Sequence, residues 1–191
     1  MKTLSSTFEN EIIIKNSRFI SILIPLTTNN YKDLLEEIKN KYPKATHYCY
    51  ATIYDDEKYS SDDGEPSSTA GLPILNVLEK EELNHILAVV VRYFGGIKLG
   101  AGGLVRAYTK ATTENLKQAI KLELEKGYLI ELKFNYEEEK NINYILQNSN
   151  IISKSYQETI TYQVEVNDET INKLNQYKPT IIDEIYIKKM N

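Results

Sequence analysis

Hydrophobic and polar residues follow one another along the chain in patterns that predict a mixed α/β protein. A continuous apolar run from Ile86 to Val91, rich in valine, opens the predicted strand Ile86–Phe94 and is typical of a strand that is buried on both faces. The elements predicted before residue 127, in chain order, are strands Phe8–Ile14 and Arg18–Leu26 with a turn at Lys15–Ser17, a helix from Tyr31 ended by Pro43, strand His47–Tyr54, a polar loop Asp55–Gly71, a short helix Pro73–Leu83, strand Ile86–Phe94 and a helix that Gly102 or Gly103 starts. The residues expected on the buried face of this last helix are Leu104, Ala107, Tyr108, Ala111, Leu116 and Ile120.

A second pattern begins after Gly127 and predicts a separate small domain. Its elements are strand Tyr128–Tyr136, helix Glu137–Asn148, strands Ile151–Tyr156 and Ile160–Val166, helix Asp168–Tyr177 with Asp168 as its N-cap, and strand Thr180–Ile187. The order βαββαβ is the ferredoxin-like arrangement. We therefore predict an α/β (α+β) protein with two domains, residues 1–126 and 127–191.

The stretch Val91–Tyr108, VRYFGGIKLGAGGLVRAY, is called the glycine segment below and is the strongest candidate for a functional site. It holds five of the eight glycines, Gly95, Gly96, Gly100, Gly102 and Gly103. Residues 83–113 contain no Asp or Glu but carry four cations, Arg92, Lys98, Arg106 and Lys110. Free backbone N–H groups at a helix start, with cations nearby, favour an anion. The alternative is that the glycines only allow close packing of strand and helix.

A second motif, the acidic loop at residues 62–71, reads DDGEPSSTAG. The carboxylates of Asp62, Asp63 and Glu65 are candidates for binding Mg²⁺ or for acid–base chemistry. They are equally compatible with a rigid loop, in which Asp and Ser side chains cap backbone N–H groups and Pro66 fixes φ. An ion pair of Asp62 or Asp63 with an arginine of the glycine segment is a third interpretation.

Other classes of site find little support in the sequence. The glycine segment lacks the closing Gly-Lys-Ser/Thr of a Walker A loop and the spacing of GxGxxG. One cysteine and two histidines do not supply a zinc site. His47 and Cys49 stand two apart on a predicted strand, so they share a face without forming an oriented nucleophile pair. We interpret Cys49 as a small core residue.

Aromatic residues beside the cations suit single-stranded RNA, whose bases stack and whose phosphates pair with cations. Tyr93, Phe94 and Tyr108 lie in the glycine segment. We favour core positions for Phe94 and Tyr108 and leave Tyr93 open.

Composition limits the class of protein. The 191 residues are 41% apolar and 26% charged, with a net charge of −4, so nucleic-acid binding requires a local patch. The N-terminal residues lack the apolar stretch of a signal peptide, and no apolar run reaches the length of a membrane span. We expect a cytoplasmic protein with neither a membrane nor DNA as partner.

The acidic loop and the glycine segment, SDDGEPSSTAGLPI at 61–74 and VRYFGGIKLGAGGLVRAY at 91–108, together resemble the IMPACT/YigZ family. The order of elements agrees with that family over nearly the whole chain. The resemblance implies two α/β domains, the first similar to elongation factor G domain IV and the second to its domain V. Both relatives act on ribosomal RNA, so RNA or ribosome contact is an expectation from fold.

Eukaryotic members of the family resemble translation regulators that bind a large partner of a stress kinase, partly through an extra N-terminal module that we do not find here. No catalytic residues or required cofactor come with the resemblance. We expect a non-catalytic RNA- or ribosome-binding regulator of translation, with a protein partner in translation also conceivable. The alternatives are a Mg²⁺-dependent enzyme acting on a small phosphorylated metabolite or nucleotide, and a protein-interaction module without nucleic acid. The expected anion-binding residues are Arg92, Gly95, Gly96, Lys98, Gly100, Gly102, Gly103, Arg106 and Lys110.

Overall fold

The computed structural model describes residues 1–189 and confirms the predicted mixed α/β class with two domains. The chain forms two compact units, one of residues 1–122 and one that begins at Glu123. The predicted boundary at 126–127 falls four residues later, inside a strand. Among the described residues, no helix combines the length and apolar character needed to cross a membrane.

The first unit is built on a five-stranded antiparallel sheet. Its elements are β1 (Lys2–Leu4), β2 (Phe8–Ile14), β3 (Ser17–Pro25), α1 (Tyr31–Lys41), β4 (His47–Tyr54), β5 (Glu57–Ser61), α2 (Gly71–Lys80), β6 (Ile86–Tyr93) and α3 (Ala101–Leu116). The strand order of the sheet is β2-β3-β6-β4-β5, so β6 lies at its centre. The short strand β1 forms a parallel bridge from Lys2 to Leu83, outside this sheet.

The central strand β6 is apolar from Ile86 to Val91 because both faces of the sheet are covered. Ile86, Ala88 and Val90 pack with the buried sides of α2 and α3. Leu87 and Val89 point to the other face, where they pack against α1. This explains the continuous apolar run that predicted a doubly buried strand.

The second unit has the predicted order βαββαβ. Its elements are β7 (Lys121–Phe134), α4 (Glu139–Ile145), β8 (Asn150–Tyr156), β9 (Ile160–Asn167), α5 (Asp168–Leu174) and β10 (Thr180–Lys188), with short 3-10 helices at Tyr136–Glu138 and Asn175–Tyr177. The strands of this unit pair antiparallel in the order β10-β7-β9-β8, as in a ferredoxin-like sheet. Its core residues include Ile130, Leu132, Ile142 and Tyr162.

Several predicted details were wrong for identifiable reasons. Strand β5 lies in the predicted polar loop because its residues are mostly exposed and show no apolar alternation, while its backbone pairs with β4. Gly127 does not separate two elements, since β7 runs through it. It allows close packing instead, because a Cβ there would lie 2.7 Å from the Val166 carbonyl oxygen. The N-cap of α5 is Asn167, whose side chain accepts the Thr170 N–H, rather than Asp168. Ile120 is exposed because α3 ends at Leu116.

Candidate anion-binding site

The glycine segment connects β6 to α3 by an exposed loop of seven residues, 94–100. Two side-chain oxygens hold the start of this loop. The Phe94 N–H donates to Thr46 Oγ1 at 3.0 Å, and the Gly95 N–H donates to Ser17 Oγ at 3.1 Å. The loop is therefore fixed to the first residue of β3 and to the residue before β4.

The five glycines of the segment have different structural roles. A Cβ at Gly95 would lie 2.1 Å from the carbonyl carbon of Asn16, so this glycine permits close packing of two backbone segments. Gly96 and Gly100 have φ of +85° and +69°, a conformation that side chains disfavour, although a Cβ at either would meet no atom within 4 Å. A Cβ at Gly103 would press on Leu99 Cβ at 3.0 Å, whereas Gly102 has room. The close-packing alternative thus accounts for Gly95 and Gly103, but not for the open space at the other three.

The start of α3 presents unpaired donors to the surface. Gly100 is the N-cap and offers no side-chain hydrogen bond, and the first backbone bond of the helix runs from the Leu104 N–H to the Gly100 carbonyl. The N–H groups of the preceding residues therefore have no partner within the helix. Ala101 and Gly102 are exposed, so these donors can reach an anion.

Three of the four predicted cations are exposed, Lys98 in the loop before α3, and Arg106 and Lys110 on α3 itself. Lys98, Arg106 and Lys110 form no ion pair within 4 Å with any carboxylate of the described chain. Arg106 Nη1 lies 3.8 Å from the point that a Cβ on Gly102 would occupy, so the guanidinium lies beside the first turn of α3. Lys110 follows Arg106 by four residues on the same helix face. We call these three residues the cation surface.

Arg92 does not belong to this surface, which corrects its predicted role. Its side chain is only 5% exposed, and its Nη1 donates to Glu65 Oε1 at 2.5 Å. The carboxylate, itself 4% exposed, neutralises the guanidinium inside the first unit. The Arg92 Nε is buried and has no hydrogen-bond partner.

The acidic loop uses its carboxylates to hold its own shape, in agreement with the rigid-loop interpretation. Asp62 accepts the N–H groups of Ser68, Ala70 and Gly71. Burial raises the pKa of Asp62, but these backbone hydrogen bonds outweigh it and hold the pKa below its ordinary value. Asp63 Oδ2 accepts the Tyr48 N–H at 2.6 Å.

The predicted magnesium-binding role of these carboxylates finds no support in the geometry. Asp62, Asp63 and Glu65 already accept hydrogen bonds from the protein. Within residues 1–189, no group of three or more His, Cys, Asp or Glu side chains is placed to hold a metal ion. A cavity of about 330 Å³ between α2 and α3 is lined by neighbouring residues such as Leu72, Val77 and Val105, and by none of the three carboxylates.

Sequence reasoning missed a buried polar cluster beneath the glycine segment, called the Glu65 network below. Its members are Ser17, Cys49, Glu65, Arg92 and Tyr108. The Tyr108 hydroxyl donates to Glu65 Oε1 at 2.7 Å and lies 3.3 Å from Cys49 Sγ. Burial raises the pKa of the Cys49 thiol and of the Tyr108 hydroxyl. An arginine directly after an apolar strand run was the one signal in the sequence for such a cluster.

His47 and Cys49 do not form a nucleophile pair. His47 Nδ1 lies 2.7 Å from the Asp63 carbonyl oxygen, and its Nε2 is 3.9 Å from Glu65 Oε2. The Cys49 thiol donates to the Asp62 carbonyl oxygen at 3.0 Å. Cys49 is fully buried, as predicted for a core residue.

The aromatic residues of the glycine segment divide between core and surface. Tyr108 is fully buried, as predicted, and packs edge-on against Phe19. Phe94 was predicted in the core but is 46% exposed, because β6 ends at Tyr93 and the chain turns away from the sheet. The Tyr93 hydroxyl donates to the Pro43 carbonyl oxygen.

Comparison with known proteins identifies relatives over most of the chain. Residues 15–116 match the Impact N-terminal domain family. The chain is 36% identical over 181 residues to the IMPACT family member YvyE of Bacillus subtilis (strain 168), covering 92% of this chain and 83% of that protein. It is 43% identical over 111 residues to the IMPACT family member YigZ of Escherichia coli (strain K12), covering 55% of this chain and 54% of the relative. The crystal structure of a hypothetical protein matches with a TM-score of 0.70 and 31% identity, covering 95% of this chain and 97% of that one.

Proposed function

This chain belongs to the IMPACT family, and we propose that it is a non-catalytic RNA-binding protein that regulates translation, with the ribosome as its site of action. The cation surface carries the proposal. Lys98, Arg106 and Lys110 are exposed and form no ion pair within 4 Å in the described chain, and Arg106 lies beside the uncapped start of α3.

The proposed contact is with phosphates of the RNA backbone. One phosphate would lie at the first turn of α3, where it accepts the free N–H groups and the Arg106 guanidinium. Lys98 and Lys110 would contact neighbouring phosphates as point charges. No acidic residue between positions 83 and 113 repels the strand, although the whole chain is negative.

A role in translation agrees with the resemblance of this family to translation regulators and of its domains to elongation factor G. It also agrees with the exposed cation surface, whose proposed contacts with phosphates need no catalytic group. An enzyme that uses the acidic loop is less compatible with the geometry, since each of its three carboxylates already bonds a protein donor.

The test measures RNA affinity against salt concentration by fluorescence anisotropy, using a labelled fragment of ribosomal RNA and the purified full chain. For each variant, Lys98→Ala, Arg106→Ala and Lys110→Ala, we expect weaker binding and a log–log salt slope flatter by about 0.7 to 0.9. The matched control is Lys117→Ala, an exposed cation that follows α3 and pairs with Glu114 at 2.8 Å.

We expect the control to bind as the unsubstituted protein does. Unchanged affinity and slope in all three variants would exclude the cation surface. Absence of RNA binding by the unsubstituted chain at low salt would remove the proposed function itself.

A further inference from the structure

Phe94 is the most exposed aromatic residue of the glycine segment. It occupies the first position of the loop, with 46% of its surface accessible. Hydrogen bonds on its own N–H and on the N–H of Gly95 fix the backbone at this point. The ring is thus presented on a fixed support, at little further cost in conformational entropy.

The buried Arg92 guanidinium lies beneath this ring. Its central carbon is 5.5 Å from the Phe94 ring centroid, within cation–π distance. The same carbon is 5.3 Å from the Phe19 ring, so the guanidinium is held between an inner and an outer aromatic ring. The accessible part of Phe94 is left for a further planar partner.

The loop joins this ring to the cation surface. Lys98 follows Phe94 by four residues, which span at most about 14 Å of chain. A short stretch of one nucleic-acid strand can therefore contact both the ring and Lys98. Aromatic residues beside cations are the combination that single-stranded nucleic acids require, because bases stack while phosphates pair with charge.

We propose that the site recognises unpaired RNA, with one base stacked on Phe94 while the adjoining phosphates contact the cation surface. This inference rests on the proposed RNA-binding function. It adds that the site binds single-stranded RNA in preference to duplex RNA. The bases of an A-form duplex are stacked on one another, so a side chain cannot take a base onto its ring without opening the helix.

An exposed aromatic residue also occurs at protein interfaces. RNA is favoured here because Lys98, which forms no ion pair within 4 Å in the described chain, follows Phe94 by only four residues, and because residues 83–113 hold no carboxylate. A protein partner of Phe94 would have to present acidic groups that match the cations. If Phe94 bound a protein instead of RNA, the chain would not distinguish paired from unpaired RNA.

The experiment compares a labelled 12-nucleotide RNA without self-complementarity with the same strand annealed to its complement, by anisotropy at constant salt. The variants of the full chain are Phe94→Leu, Phe94→Tyr and Ile97→Ala. Ile97 is the matched control, since it lies in the same loop and is 45% exposed but has no ring. Circular dichroism establishes that each variant is folded.

We expect the unsubstituted protein to prefer the single strand. Phe94→Leu should weaken binding of the single strand by about 5- to 150-fold, the range for loss of one stacked base, and leave the duplex affinity and the salt slope unchanged. The affinities of Phe94→Tyr and Ile97→Ala for the single strand should stay within about twofold of that of the unsubstituted protein. This difference is smaller than the one expected from the loss of one stacked base.

Two results would overturn the inference while sparing the proposed function. These are equal affinity of the unsubstituted protein for both RNAs, and an unchanged affinity of Phe94→Leu for the single strand. Failure of the unsubstituted protein to bind either RNA would overturn both proposals together.

Discussion

The ion pair between Arg92 and Glu65 provides a direct test of how the first unit is held together. We consider Glu65→Gln, which removes the negative charge but keeps the size and an oxygen that can accept the Tyr108 hydroxyl. Both partners are at least 95% buried, and the bond between them is 2.5 Å long. The substitution therefore leaves a buried guanidinium without a counter-charge.

The expected cost follows from that burial. Removing one partner of a buried ion pair destabilises by about 3–5 kcal/mol, because the remaining charge is poorly solvated. Removing both partners, as in Glu65→Leu with Arg92→Met, should cost far less, within about 1–2 kcal/mol of the unsubstituted protein. The residual cost reflects the Tyr108 hydroxyl, which loses its acceptor, whereas Ser17 Oγ keeps the Gly95 N–H.

Cys49 supplies a specific assay for the first unit. It is the only cysteine of the chain, is fully buried, and has a thiol pKa raised by burial, so it should react with an alkylating reagent only after unfolding. Labelling of Cys49 across a urea series gives the free energy of unfolding of this unit in each variant. The control is Glu79→Gln, which breaks an exposed pair with Lys58 and should cost less than about 1 kcal/mol.

A loss below about 1 kcal/mol for Glu65→Gln would refute the reasoning. So would a Glu65→Leu/Arg92→Met double variant whose loss equals the sum of the losses of Glu65→Leu and Arg92→Met measured singly, since the effects of independent residues add and those of coupled residues do not.

Two further predictions concern the glycine segment and the acidic loop. Gly95→Ala should destabilise the first unit by at least about 1–3 kcal/mol in the same assay, because its Cβ would overlap the Asn16 backbone, whereas Gly102→Ala should stabilise α3 by about 0.5–1 kcal/mol. Equal effects of the two would show that the packing at Gly95 is not as described. Because the pKa of Asp62 is lowered on folding, its contribution to stability is present above the ordinary value of about 3.9 and is lost as the pH falls through the folded-state pKa. Urea unfolding from pH 6 to 3 should therefore show a steeper loss in the unsubstituted protein than in Asp62→Asn, and parallel curves would contradict this.

The elements that could be predicted from sequence are those whose periodicity is set by burial. The apolar run of β6 and the spacing of Leu104, Tyr108 and Ala111 in α3 reflect a fixed core on a known face. The order of elements after β7 was sufficient to predict the ferredoxin-like sheet of the second unit. β5 escaped prediction because an exposed edge strand is defined by backbone pairing with β4, and that pairing leaves no hydrophobic pattern.

The sequence indicated a candidate site whose function stays a prediction, but it did not indicate how the residues divide between surface and interior. The glycines and the absence of acids indicated an anion site around the start of α3, and Lys98, Arg106 and Lys110 remain its proposed cations. Arg92 could not be separated from them, because its partner Glu65 is 27 residues away and the contact depends on how the acidic loop folds. Phe94 was misplaced for a similar reason, since one residue decides whether a strand continues or ends.

The buried and exposed parts of the glycine segment meet at Ser17. Its hydroxyl oxygen accepts the Gly95 N–H at 3.1 Å and, more weakly, Arg92 Nη2 at 3.4 Å, so one buried atom contacts both the exposed loop and the Glu65 network. Arg92 also lies under the Phe94 ring, which gives the network a second contact with the loop. A buried charged cluster is seldom the most stable way to fill a core, because hydrophobic replacements often match or exceed it. The position of the Glu65 network follows from the loop that it contacts. The glycines give the loop an open backbone but remove the side chains that would hold it. The Glu65 network supplies this support instead, through Ser17 and Arg92.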